Sequence, residues 1–291
     1  MKLTMRRSRN LTACLILLVS GCSTQPTAPN RVSAGATDDA AACVASLSVD
    51  SRISSRELDA RDFSVVNWNI QKGQDPDWAD DLAQVHAEPD LLILQEASPH
   101  YDAWEALAPR HFRSFAEGFG LSRTPSGVMT LSSAEPLTEC DLVSLEPWFG
   151  TRKATLVTEY GLTNTERTLL VVNIHGINFT FGVRDLEKQF RKAQAIIAEH
   201  KGPVLFSGDF NTWRGSRARM LDELVQSVGL TPLKFSEDYR KRFLGWPLDN
   251  IYERGLDTIH ATTQDLSSSD HNPMSVRFRL TEEPGRFSAA P

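Results

Sequence analysis

Apolar positions along the chain fall into short runs, most of them ended by a polar residue with chemistry to offer. Residues 63–68 alternate apolar and polar side chains and then reach Asn69. Leu91, Leu92, Ile93 and Leu94 form an unbroken apolar run closed by Gln95 and Glu96. Similar stretches cover residues 127–131, 154–158, 169–174, 204–207, 249–252 and 274–278. Alternation, or a short apolar run closed by turn residues, predicts a strand. Helical spacing appears at 78–85 and at 186–197, where Leu186, Phe190, Ala193 and Ile197 share one face. It appears again at 218–228, through Leu221, Leu224, Val225 and Val228. Strands outnumber helices, and helices separate only some of them. That predicts an α/β (α+β) fold with mixed sheets inside and helices outside, a sandwich of four layers.

The N-terminus breaks this pattern. Lys2, Arg6, Arg7 and Arg9 precede a short apolar stretch at 11–19, which ends in Ser20, Gly21 and Cys22. The stretch is too short to span a bilayer, and its flanks resemble a bacterial lipoprotein signal. Residues 1–21 would then be removed and Cys22 lipidated. The alternative is an ordinary secretory signal cut nearby. Residues 22–58, rich in Ser, Thr, Ala and Pro, read as a flexible tether. Residues 59–282 read as the folded domain and 283–291 as a flexible tail.

The whole chain has 291 residues and a net charge of −6, with 41% hydrophobic and 23% charged residues. Residues 1–21 hold four positive charges and no negative one, so the remainder would carry −10. An acidic balance argues mildly against tight, non-specific DNA binding. Cys43 and Cys140 are left once the leader and Cys22 are set aside. In an oxidising compartment they form either a disulfide closing a loop of about 100 residues or two separate buried thiols.

The candidate chemistry lies at the ends of the apolar runs: Asn69, Gln95 and Glu96, Asn173 and His175, Asp209 and Asn211, with Asp249 opening one strand and Asp270 and His271 preceding the last. Carboxylate and amide oxygens suit a hard divalent cation, and a neutral imidazole beside a carboxylate suits proton transfer near neutral pH. No cysteine and histidine spacing resembles a zinc site. A cation with positioned imidazoles is what hydrolysis of a phosphate ester needs. Asp209 and Asn211, two apart, would project to one side of an extended segment. Each residue alone also has a plainer reading as a turn, cap or core residue.

The segments Trp68-Asn69-Ile70, Leu94-Gln95-Glu96, residues 126–132, Asn173-Ile174-His175, Gly208-Asp209-Phe210-Asn211, Pro247-Leu248-Asp249 and residues 269–273 resemble, in order, the motifs of the endonuclease/exonuclease/phosphatase superfamily of DNase I-like fold. Longer stretches at 125–132, 171–181 and 247–256 are most similar to its YafD-like bacterial branch. The resemblance implies an α/β/β/α sandwich of two mixed sheets. It implies Mg²⁺ or Mn²⁺ held by Asn69 and Glu96, with Asp270 a further ligand. Asp209 and Asn211 would orient the attacking water and the phosphate. His271, paired with Asp249, would be base or charge stabiliser, and His175 the second imidazole. The acidic partner of His175 stays open, with Glu117 a weak candidate. Arg152, Arg214 and Arg242 are candidate phosphate contacts; the basic residues around 214–219 and 240–242 read equally as solvated surface. The implied activity is metal-dependent hydrolysis of phosphate esters at the cell envelope. The substrate would be nucleic acid or, alternatively, a phospholipid or sphingolipid. A non-catalytic envelope lipoprotein on the same scaffold is the remaining alternative. The only membrane contact implied is the lipid anchor, on the periplasmic side of the outer membrane, and no protein partner is implied.

Overall fold

The computed structural model describes residues 39–47, 54–119 and 124–282. The leader, Cys22 and the tail at 283–291 lie outside the described residues. The strands are β1 (Phe63–Asn69), β2 (Leu91–Ala97), β3 (Phe112–Phe119), β4 (Ser126–Ser132), β5 (Pro136–Leu145), β6 (Arg152–Gly161), β7 (Thr168–His175), β8 (Val204–Asp209), β9 (Thr231–Pro232), β10 (Arg242–Phe243), β11 (Trp246–Pro247), β12 (Asp249–Arg254), β13 (Leu256–Thr263) and β14 (Met274–Leu280). The helices are α1 (Ala40–Leu47), α2 (Trp78–Val85), α3 (Trp104–Leu107), α4 (Arg184–Glu199) and α5 (Gly215–Ser227).

Two six-stranded mixed sheets stack face to face, with strand orders β13-β14-β1-β2-β4-β3 and β5-β6-β7-β8-β12-β9. Strand alternation sorts the apolar side chains into three layers of core. Phe63, Val65, Leu91, Ile93, Leu169, Val171, Leu205 and Ile251 meet between the sheets. Val66, Trp68, Leu92 and Leu94 point the other way, onto α2 and α3. Leu170, Val172, Phe206 and Tyr252 pack under α4 and α5. Strands buried on both faces explain why these runs read as almost continuously apolar. The result is the α/β/β/α sandwich expected.

Connectivity brings the polar strand ends together. β1 and β2 are parallel neighbours, with Asn69 beside Gln95. β7 and β8 are parallel neighbours, with His175 beside Asp209. Parallel neighbours need a crossover, so both pairs finish at the same end of the molecule. β12 runs antiparallel to β8 and begins there, with Asp249 opposite Asp209. β14 runs antiparallel to β1 and starts opposite Asn67, so the preceding loop carries Asp270 and His271 to that end too.

The stretch expected as a tether is not tether throughout. Ala40–Leu47 is helical, and Cys43 is buried against the helical face of the second sheet. Cys43 is disulfide-bonded to Cys140 of β5, with Cα atoms 5.8 Å apart and a sequence separation of 97. Leu58 is buried and bridges to Leu162. The boundary expected at 59 therefore falls within the described structure. The cause is the cross-link and a handful of apolar side chains, which bulk composition does not reveal.

Candidate active site

On the faces that the sheets turn toward each other, each strand changes character near its end. Phe63 and Val65 give way to Asn67 and Asn69, Ile93 to Gln95, Val171 to Asn173 and His175, Leu205 to Ser207 and Asp209. The first layer of these polar groups is cross-linked, with Asn67 Nδ2 and Gln95 Oε1 left without a hydrogen-bond partner among the described residues. Gln95 Nε2 donates to Asn67 Oδ1 at 3.0 Å and to Asn173 Oδ1 at 2.9 Å, and Ser207 Oγ donates to Asn67 Oδ1 at 2.9 Å. Asn173 Nδ2 donates to the Leu94 and Met129 carbonyls, each at 3.1 Å. Buried amides are tolerated when they are paired, and here they form a rigid floor joining the two sheets.

The reactive groups stand on that floor. Asp209 is buried and gripped from two sides: Asn69 Nδ2 donates to its Oδ2 at 3.2 Å and Asn211 Nδ2 to the same oxygen at 3.1 Å. The Asn211 backbone N–H also donates to Asp209 Oδ1, at 2.9 Å. Asn211 is not on an extended segment, as its spacing suggested. β8 ends at Asp209, and Asn211 adopts φ +51° in a tight turn that folds back on the carboxylate. Asn69 likewise does not present a free oxygen: its Oδ1 accepts from the Gln71 N–H at 3.1 Å.

His271 Nδ1 lies 2.7 Å from Asp249 Oδ2, and its Nε2 lies 3.8 Å from Asp209 Oδ2. Its loop is fixed to β1 by Trp68 Nε1, which donates to the His271 carbonyl at 3.0 Å, and by Ser269 Oγ, which donates to the Asn69 carbonyl at 2.7 Å. Burial opposes charging of the imidazole. The carboxylates of Asp249, Asp209 and Asp270 outweigh it and raise the pKa to about 10, so His271 is a cation at neutral pH. Burial is the main force on Asp209 as well and lifts its carboxyl to about 6, against the pull of His271. His175 Nε2 lies 3.5 Å from Asp209 Oδ2 and 3.8 Å from Glu96 Oε1. Burial, with the nearby cations Lys153 and His271, holds it well below the ordinary imidazole value, so it is neutral.

Glu96 reaches the pocket through a fault in the sheet. The β2–β4 register shifts between Leu94 and Ala97, and Glu96 takes φ +53°. Simple alternation would turn Glu96 away from Gln95; the bulge re-aims it toward His175. Gln71, Lys72, Glu96 and Asn211, all at positive φ, all line this one pocket. Backbone strain gathered in one place is typical of a functional site.

The structure thus gathers Asn69, Glu96, His175, Asp209, Asn211, Asp249, Asp270 and His271 at one pocket or directly beneath it. Arg152 lines the pocket; Arg214 and Arg242 do not. Arg214 Nη2 is drawn to the Phe181 carbonyl at 2.5 Å, and Arg242 pairs with Asp238 at 2.5 Å. Arg217 is neither rim nor surface. It is fully buried and donates to the carbonyls of Ile177, Asn178 and Asn211, stapling the loops behind the pocket. Glu117 is exposed and does not line the pocket.

Three residues in the pocket escaped the sequence reading. Lys153 Nζ sits 2.6 Å from His175 Nε2, a hydrogen bond in which a Lys153 ammonium donates to the Nδ1-protonated tautomer; burial pushes the Lys153 pKa down, against the pull of Glu146, Asp209 and Glu96. Sheet register alone brings it there: Thr155, two residues on, pairs with Ile174. Lys72 Nζ lies 3.4 Å from Glu96 Oε2. Glu146 is buried and accepts the backbone N–H groups of Asn178 and Phe179 at 2.8 and 3.2 Å.

Asp209, Asp249 and His271 bring one ligand atom each within 4.8 Å of one another, a group able to hold a metal ion. Asp249 Oδ1 is buried without a hydrogen-bond partner among the described residues. The wider donor set is oxygen-rich, as a hard divalent cation requires.

A family model described as endonuclease/exonuclease/phosphatase matches residues 66–271. A UPF0294 protein of Vibrio campbellii is 37% identical over 224 residues, covering 76% of this chain and 79% of its own. The fold superposes on the human Nocturnin catalytic domain with bound sulfate at a TM-score of 0.59 and 17% identity, covering 78% of this chain and 97% of that one. It superposes on the mannosyl-6-phosphatase Bt3783 of Bacteroides thetaiotaomicron at 0.56 and 16% identity, covering 75% and 100%.

Proposed function

The chain belongs to the endonuclease/exonuclease/phosphatase family, and from that premise we propose that it hydrolyses phosphate esters by direct attack of water, with Asp209 as general base. One observation carries the reading: a buried carboxylate, held by Asn69 and Asn211, faces a hydrogen-bonded His271–Asp249 pair and a Lys153–His175 pair within 4 Å. Asp209, lifted to about 6, is ionised at neutral pH yet basic enough to take a proton from water. The water oxygen forms the new bond to phosphorus as the bond to the leaving oxygen breaks. Cationic His271 and Lys153 donate to the phosphoryl oxygens that gain charge, with Arg152 at the rim. Asp249 keeps His271 charged and oriented. His175, neutral, fixes the Lys153 ammonium through Nε2.

The donors fit a divalent cation, Mg²⁺ or Mn²⁺. A protonated His271 has no lone pair to give, which argues against the Asp209–Asp249–His271 group as the cation site. Glu96 and Asp270, both in the pocket wall, would hold it, with Asn69 beside them. When bound, the cation supplies neutralisation of phosphoryl charge and stabilisation of the leaving oxygen. The lipobox-like segment ending at Cys22 supports a lipid-anchored protein of the bacterial envelope.

Hydrolysis of bis(p-nitrophenyl) phosphate, plasmid DNA, RNA and phospholipid, measured with Mg²⁺ and with EDTA, tests this reading. Asp209→Asn is expected to lower kcat by about 10²–10⁴-fold without changing the unfolding midpoint. A variant that keeps the full rate, or an active protein indifferent to EDTA, would sink it.

A further inference from the structure

Large exposed apolar side chains are concentrated at one end of this molecule, the end that holds the pocket. Trp148 and Phe149 project from the β5–β6 loop, and Phe179 and Phe181 from the β7–α4 loop. They meet in pairs: Trp148 and Phe181 have ring centroids 4.1 Å apart, and Phe149 and Phe179 are 5.4 Å apart. Phe179 is itself part of the pocket wall. On the neighbouring hairpin, β10 and β11 expose Phe243, Leu244 and Trp246. The two patches are joined. Arg214 binds the Phe181 carbonyl, its neighbour Trp213 contacts Phe243 at 6.2 Å, and Trp246 packs over Gly215. Phe181 is 81% exposed and Leu244 74%, which is far from core packing.

Resting on the phosphoesterase reading above, we propose that this apolar rim docks the pocket onto a phospholipid surface, so that the ester presented to Asp209 is a lipid headgroup. Three observations select this occupant. First, the rim is amphipathic: Arg152 lines the pocket beside it, Arg214 donates to the Phe181 carbonyl, and Arg219 lies with Trp246 against Gly215. Tryptophan and phenylalanine tips backed by arginines match the boundary between acyl chains and anionic headgroups. Second, the rim is continuous with the pocket through Phe179, so docking would place headgroups at the reactive groups. Third, the sequence before Asp39 contains the apolar stretch 11–19 and Cys22. The residues from 22 to 39 can span at most ~60 Å, which would keep the domain close to a bilayer anchored there. Single-stranded nucleic acid also stacks on aromatic rings. Leu244, 74% exposed at the tip of the hairpin, offers no such stacking and suits an acyl-chain phase.

The test uses the full chain carrying Cys22→Ser, so that no lipid is attached, and compares it with the same chain bearing Trp148→Ser, Phe149→Ser and Phe181→Ser. Binding to vesicles of phosphatidylcholine and phosphatidylglycerol is followed by quenching of tryptophan fluorescence with brominated lipid and by flotation. Apparent affinity is expected to fall at least tenfold in the triple variant, since each bulky side chain withdrawn from an apolar phase is worth about that factor. Hydrolysis of soluble bis(p-nitrophenyl) phosphate is expected to stay unchanged, and hydrolysis of vesicle phospholipid to fall. A second variant, Phe243→Ser with Leu244→Ser, repeats the measurement on the hairpin. Unchanged vesicle binding in both variants overturns the proposal. So does a loss confined to binding of single-stranded DNA. If vesicle binding depends on the rim but no ester is hydrolysed by either chain, the docking surface stands and the phosphoesterase reading falls.

Discussion

His271 illustrates how two opposing forces set a residue's chemistry. Burial alone would strip the proton from this imidazole; Asp249 at 2.7 Å and Asp209 at 3.8 Å keep it on. Because the folded pKa is raised, the protonated form stabilises the fold fully below the ordinary imidazole value near 6.5, and that contribution disappears as pH rises toward about 10. NMR of the imidazole protons is expected to show His271 still protonated at pH 8. Asp249→Asn is expected to bring the midpoint down toward the ordinary value and to flatten the fall of unfolding free energy between neutral and alkaline pH. A His271 that titrates near 6.5 in the unmodified protein would remove the cation from the site. The carboxylate, amide and imidazole positions of the site were readable because they interrupt apolar runs. Lys153 was not, since nothing in Arg152-Lys153-Ala154 distinguishes it from a solvated strand start; only its approach to His175 does.

Strands and helices were legible to different degrees. α2 occupies residues 78–85, the stretch its spacing predicts, α4 extends its predicted stretch at both ends, and α5 starts before its predicted stretch and ends just short of Val228. β1, β2, β7 and β8 were plain because they are buried on both faces. β13 was missed. It is an edge strand of its sheet and exposes Thr258, Ile259 and His260, so its apolar signal is thin. β5 was missed for the same reason, with Thr138, Glu139 and Asp141 in its length. Gly208 shows how tightly the central strands are drawn. It takes φ +148°, and a Cβ there would lie 2.0 Å from the Ile174 carbonyl oxygen. Gly208→Ala is expected to cost about 3 kcal/mol or more of stability and to disturb Asp209 next to it. A urea-unfolding midpoint equal to that of the unmodified protein would contradict this account.

Above the strands, the sandwich is held at its outer face by the Cys43–Cys140 bond, which ties α1 to β5. With a sequence separation of 97, the bond restricts the unfolded chain strongly. Cys43→Ser is expected to lose about 4–5 kcal/mol on the chain-entropy account. Reductant should lower the melting temperature of the unmodified chain and leave that of the variant unmoved. The bond also explains why a short helix persists outside the main domain pattern. α1 is too short to be stable alone, and it is kept by covalent attachment and by Cys43 packing against α4.

The order of apolar and polar residues determined by itself that this chain would build two-sided strands with polar, ligand-bearing ends, because side-chain alternation is a local property of the backbone. It also carried the motif order by which the family resemblance could be seen. What only the tertiary structure decided is which of those ends face one another and in what charge state. Parallel pairing set His175 beside Asp209, the bulge turned Glu96 inward, the carboxylates around His271 made it a cation against its burial, and burial left His175 neutral. Those outcomes depend on register between distant strands and on exclusion of water, and neither is encoded in any short stretch of the chain.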